Sequence, residues 1–155
     1  MSIAITLSEF LNESVKSDKT IYHFTESLDS LFSILEDNAL IAGSHERNSR
    51  YGLGYDNVSF TRNPKLWDIE YLGDTKSRWN VRIAFDYDRM SKKWNFKPFD
   101  YGISEEMEEI VETDEMTGIT EYITEISVSS KESKSELEYL KELYPGLKIK
   151  SVRRK

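Results

Sequence analysis

Thr20-Ile21-Tyr22-His23-Phe24-Thr25 and the stretch that answers it, Asn57-Val58-Ser59-Phe60-Thr61-Arg62-Asn63, decide how this chain is read. Each is a short run of β-branched and aromatic residues closing on a hydroxyl side chain, the composition of a strand that opens onto a cleft. Between them Leu28, Leu31, Ile34 and Leu35 recur at helical spacing behind Ser27, which suits an N-cap, so a helix runs from there to Asp37 or Asn38. Pro64 ends the second strand, since proline cannot donate to a ladder and disfavours helix in the residue before it.

Working outward, Val81, Ile83 and Phe85 alternate with Arg82 and Asp86 as a third strand, and Asp88 to Ser91 reads as a helical turn. Phe96 to Gly102, aromatic and broken by Pro98, suits a packed loop or an edge strand. The acidic run Ser104-Glu105-Glu106-Met107-Glu108-Glu109 leads into Ile110-Val111. Residues 121–128 pass from a turn of helix into a strand, and Ser133 or Ser135 starts a helix with Leu137, Leu140, Leu143 and Tyr144 along one side. Pro145-Gly146 stops it, and Leu147 to Val152 alternates as a final strand. At the amino terminus Ser8 precedes a short amphipathic helix on Phe10, Leu11 and Val15. Leu40-Ile41-Ala42 and the stretch from Trp67 to Trp79 carry no decisive pattern. Strands mixed with helices in irregular order predict one α+β domain over residues 1–155 rather than a doubly wound sheet.

Composition narrows the function. A chain of 155 residues, 38% hydrophobic and 12% aromatic, can close one sizeable core. With 28 acidic against 21 basic residues its net charge is -7, which argues against a broad surface for duplex phosphates. There is no cysteine, which excludes disulfides, thiolate metal sites and cysteine nucleophiles. With only two histidines, His23 and His45, a histidine-rich metal site is not expected and no metal ligands are assigned, which leaves only carboxylate-bound magnesium or calcium open. The amino terminus lacks the form of a signal peptide, and no stretch approaches the ~20 apolar residues of a membrane span. The expectation is a soluble cytoplasmic monomer with no membrane partner.

The loop from Gly43 to Asn57 carries His45, Arg47 and Arg50 between two core elements, where sites concentrate. Gly52 and Gly54 lack the strand-before, helix-after context of a phosphate loop. Each candidate also has an ordinary reading: a strand-end histidine bonded to backbone, strand hydroxyls, an Arg62 paired with some acidic side chain, a solvated glutamate face.

The order Tyr22-His23-Phe24-Thr25, then the Ser27 to Leu35 helix, an arginine-bearing loop and Val58-Ser59-Phe60-Thr61-Arg62-Asn63-Pro64 resembles the first half of ADP-ribosyltransferase-fold proteins. It is most similar to the DarT-type toxins that modify nucleic acids and to related small phage proteins. Glu108-Glu109-Ile110-Val111, followed by Tyr122-Ile123 and Ile126-Ser127-Val128, is similar to the place where that group carries its catalytic glutamate and the next strand.

The resemblance implies two small β-sheets forming a cleft with flanking helices, NAD as co-substrate, and transfer of ADP-ribose to a nucleic acid or protein acceptor with release of nicotinamide. It implies that His23 holds the nicotinamide-side ribose with Thr25 in support, that Ser59 and Thr61 back the site, and that Arg47 or Arg50 faces the pyrophosphate. It implies Glu109 as the catalytic carboxylate, with Glu108 second and Glu106 third. The chemistry suits one carboxylate: positive charge builds on the ribose as nicotinamide leaves, and a nearby anion stabilises it. A reading from a different class is a catalytically silent protein whose acidic surface, Glu105 to Glu115 with Glu121 and Glu125, inhibits a host or phage-defence enzyme by occupying its basic cleft.

Overall fold

A computed structural model describes residues 19–42, 57–68, 79–98 and 108–153. The expected helix over Phe10 to Val15, the loop with His45, Arg47 and Arg50, most of the stretch from Trp67 to Trp79, and Glu105 and Glu106 lie outside these residues.

The chain is α+β. Its strands are β1 (Thr20–Thr25), β2 (Ala39–Ile41), β3 (Val58–Thr61), β4 (Val81–Asp86), β5 (Phe96–Pro98), β6 (Glu108–Val111), β7 (Glu115–Thr117), β8 (Ile123–Ser129) and β9 (Ile149–Val152). The helices are α1 (Leu28–Asp37), the single turn α2 (Tyr87–Met90) and α3 (Lys134–Leu143). Seven strands form one mixed sheet in the order β5-β6-β3-β1-β4-β8-β9, while β2 and β7 pair apart from it. The strands expected to flank the cleft, β1 and β3, are neighbours within the seven-stranded sheet, with a weak join described below.

Helix α1 forms where its caps and spacing direct. Ser27 accepts a hydrogen bond from the Ser30 amide at 3.3 Å. Asn38 takes the left-handed conformation (φ 52°, ψ 44°) that closes a helix, its amide donating to the Ile34 and Leu35 carbonyls. Leu28, Leu31 and Leu35 face inward. The Leu28 amide donates to Glu132 Oε1 at 2.8 Å, so a carboxylate from the β8–α3 connection satisfies an orphan donor at the positive end of the helix. Ser133, not Ser135, caps α3, which buries Leu137 and Leu140. Leu143, expected on the buried side, is 48% exposed on the rim of an open groove with Tyr144 and Leu147. The final strand begins at Ile149, two residues later than the alternation suggested. Phe96–Pro98 is indeed an edge strand, and the residues before Ile123 form a 3-10 turn feeding β8.

Period-2 alternation sorts the sheet into two unlike faces. Ile21, Val58, Phe60, Val81, Ile83, Phe85, Val111, Ile126 and Val128 pack with the buried leucines of α1 and α3, Met90, Met116 and Ile119 in the core. The opposite face bears Ser59, Thr61, Tyr22, Phe24, Arg82 and Ser127.

Candidate functional site

The sheet order sets the three candidate segments side by side on β1, β3 and β6. β1 pairs with β4 along its whole length, from Thr20↔Asp86 to Thr25↔Val81. β3 pairs with β6 along its whole length, from Val58↔Val111 to Thr61↔Glu108. Between β1 and β3, however, the ladder has the single register Tyr22↔Thr61. The sheet thus consists of two leaves, β5-β6-β3 and β1-β4-β8-β9, meeting at a seam.

His23 bridges this seam. Its Nδ1 lies 2.9 Å from the Ser59 carbonyl oxygen, which can only accept, so Nδ1 carries the proton. In the neutral ring Nε2 is then an acceptor, and it has no partner among the described residues. The imidazole stands edge-on to Phe60, centroids 5.7 Å apart. Burial pushes the His23 pKa below its usual value, and the hydrogen bond to Ser59 opposes that shift without overcoming it.

The pleat divides the sequence candidates between the faces, because residues directly opposite in a ladder point the same way. His23 pairs with Ile83, Thr25 with Val81 and Glu109 with Phe60, so these three side chains share the core-packed face. Thr61 pairs with Tyr22 and with Glu108, and Ser59 lies two residues away on β3, so Ser59, Thr61 and Glu108 share the other face. Glu109 is committed: it accepts a charge-assisted hydrogen bond from Arg62 Nε, and the Arg62 guanidinium lies 3.7 Å from the centre of the Tyr87 ring. Arg62 therefore does pair with an acidic side chain, and its partner is the glutamate ranked first as the catalytic residue. Arg47, Arg50 and Glu106 lie outside the described residues.

The second face carries every buried polar side chain the structure describes: Asn57, Thr61, Ser127 and Ser129. Ser59 Oγ donates to Asn57 Oδ1 at 3.4 Å, and Asn57 Nδ2 is buried without a hydrogen-bond partner. Arg82 crosses this face. Its Nη1 donates to the Pro64 carbonyl at 2.6 Å and Nη2 to Ser127 Oγ at 3.0 Å, with the guanidinium 5.0 Å from the Trp67 ring centre and 5.6 Å from that of Tyr22. Burial raises the Tyr22 pKa, and Arg82 partly offsets the rise. Sequence reading assigned Arg82 only to a strand face and left Asn57 without a role. The available signal was a cation in mid-strand between apolar neighbours, which needs partners to be stable there.

Two open concavities of the described surface lie elsewhere. One of about 370 Å³ is lined by Ser130, Glu132, Leu137 and Ser151, and one of about 560 Å³ by Leu35, Asn38, Tyr144 and Leu147. The seam, with its convergent polar groups, has the richer chemistry. Among the described residues no three His, Asp or Glu side chains gather to hold a metal ion, and no helix is long and apolar enough to cross a membrane. No protein-family model and no curated protein matches the chain.

Proposed function

We propose that this chain has an ADP-ribosyltransferase-like fold, binds NAD at the seam between β1 and β3, and transfers ADP-ribose to a nucleic acid or protein acceptor with release of nicotinamide. The observation that supports this is the adjacency of β1, β3 and β6, with the leaves joined at one ladder pair and bridged by His23. The donor set suits a hydroxyl-rich anionic ligand: two hydroxyls at Ser59 and Thr61, an unpartnered amide at Asn57, a guanidinium and a carboxylate. NAD supplies an N-glycosidic bond with a leaving group that departs without needing a proton.

Within this reading Glu108 replaces Glu109 as the carboxylate that stabilises positive charge on the ribose, because it shares a face with Ser59 and Thr61 while Glu109 is on the core-packed face. His23, on the core-packed face, acts through its Nδ1–H bond to the Ser59 carbonyl, which holds β3 against β1 and so positions Ser59 and Thr61 for the ribose. Labelled NAD incubated with a panel of proteins and nucleic acids tests the proposal. Glu108→Gln should lower turnover by about 100- to 1,000-fold, the effect of losing one preorganised electrostatic group, while NAD binding changes far less. NAD at 100 times its dissociation constant should add about 2.7 kcal/mol of stability. Neither consumption nor stabilisation by NAD would favour the acidic, catalytically silent binding protein.

A further inference from the structure

We propose that Arg82 is the centre of an oxyanion site for the diphosphate of a nucleotide, walled by Tyr22 and Trp67 and floored by Ser127. A guanidinium cannot shed its charge, and a charge withdrawn from water is normally balanced by a carboxylate in contact. Arg82 is half-buried, yet among the described residues it has no carboxylate within ion-pair distance; its contacts are a carbonyl, a hydroxyl and two aromatic rings. The acidic groups near enough to influence it are Glu125 and Asp68. Glu125 is already engaged by Lys148 and Lys150, each at 2.9 Å, and Asp68 is exposed.

Two of the five N–H groups of Arg82 are used, which leaves Nε–H and one N–H on each terminal nitrogen. The two existing bonds fix the plane of the guanidinium, so the ordering cost of presenting the rest to a ligand is already met by the fold. Phosphoryl oxygens accept in that forked geometry. The half-buried Tyr22 ring distinguishes a nucleotide from a bare carboxylate, because a ring system of the nucleotide can pack on it where a simple acid cannot, while the buried Trp67 backs the guanidinium. Arg82 sits on the strand next to β1, on the face that bears Ser59, Thr61 and Glu108. The inference rests on the transferase reading only for the identity of the nucleotide.

Calorimetric titration with inorganic pyrophosphate tests it on the full chain, with melting curves reporting the fold of each variant. Wild type should bind one pyrophosphate, and Arg82→Lys, which keeps the charge but loses the fork, should bind about tenfold more weakly or worse. Arg82→Gln should not bind; where it fails to fold, Arg82→Lys decides. ADP should bind more tightly than pyrophosphate, with quenching of tryptophan fluorescence. No saturable pyrophosphate binding by wild type, equal binding by folded Arg82→Lys, or acetate competing as well as pyrophosphate overturns the site. Arg82-dependent binding without any NAD consumption upholds the site and removes the transferase reading. NAD turnover indifferent to Arg82→Lys does the reverse.

Discussion

Removing the Glu109 carboxylate should unfold the protein more readily before it affects any chemistry. The Arg62 and Glu109 side chains are 12% and 14% exposed, and the guanidinium lies on Tyr87. Exposed ion pairs contribute about 0.2–1 kcal/mol, whereas stripping one partner from a buried pair costs about 3–5 kcal/mol because the other charge is stranded. A pair at this depth, open to water along one edge, belongs between those limits, so Glu109→Leu should cost about 2–3 kcal/mol. Arg62→Met should cost about as much, since it also uncovers Tyr87. The double variant joins two apolar side chains and should recover part of the loss, giving a coupling energy of about 1.5–2 kcal/mol in a double-mutant cycle. Urea denaturation of the four proteins measures it, and each single variant should melt about 4–12 °C lower. A coupling energy below about 0.5 kcal/mol refutes the assignment of Glu109 to a structural pair. So does a Glu109→Gln protein of unchanged stability that has lost NAD turnover, which would restore Glu109 as the reacting carboxylate.

Two further outcomes follow from single side chains. The depressed His23 pKa means that the unfolded chain takes up a proton the folded chain resists, so this contribution to stability is complete above the unfolded value of about 6.5 and is lost as pH falls below it, with a slope of at most about 1.4 kcal/mol per pH unit. Urea midpoints at pH 7.5 and 5.5 should show that decline in wild type and a smaller one in His23→Gln, with His45 present in both. Asn38 holds a left-handed conformation while its Oδ1 accepts from the Thr120 amide at 2.9 Å. Asn38→Ala should therefore cost about 1–3 kcal/mol, from the strained backbone and the lost bond, and Asn38→Gly about 1 kcal/mol, from the bond alone, as read by thermal melting.

The elements legible in the sequence are those whose information is local. Ser27 with the leucines behind it, the alternation of Val81, Ile83 and Phe85, and Pro98 in an edge strand each carry their reason within a few residues. The β2–β7 pair was not legible, because Ala39 meets Thr117 only through the fold and each strand is three residues long. The site was legible to the level of its strands but not of its faces. Alternation within β3 already separates Ser59 and Thr61 from Phe60, but whether His23 or Tyr22 joins them depends on register, and the register Tyr22↔Thr61 is a tertiary fact. The same holds for the glutamates: one residue of register separates Glu108, beside Thr61, from Glu109, beside Phe60 and tied to Arg62.

A sheet joined at one ladder pair needs other contacts across the join, and these lie on its core side. The Phe60 ring on β3 meets Phe85 on β4 at 6.0 Å and His23 on β1 at 5.7 Å, so ring contacts tie β3 to β4 and reinforce its single ladder pair with β1. Phe96, 5.1 Å from Phe60, continues the cluster toward the sheet edge, where Tyr87 supports Arg62. Because this clamp is aromatic and sits among the helix-packed residues, the polar face can accommodate a ligand without exposing the core. His23 belongs to both functions: its ring takes part in the clamp while its Nδ1 fixes the Ser59 carbonyl at the seam. A substitution there therefore disturbs stability and binding together, whereas one at Glu108 or Arg82, away from the clamp, can separate them.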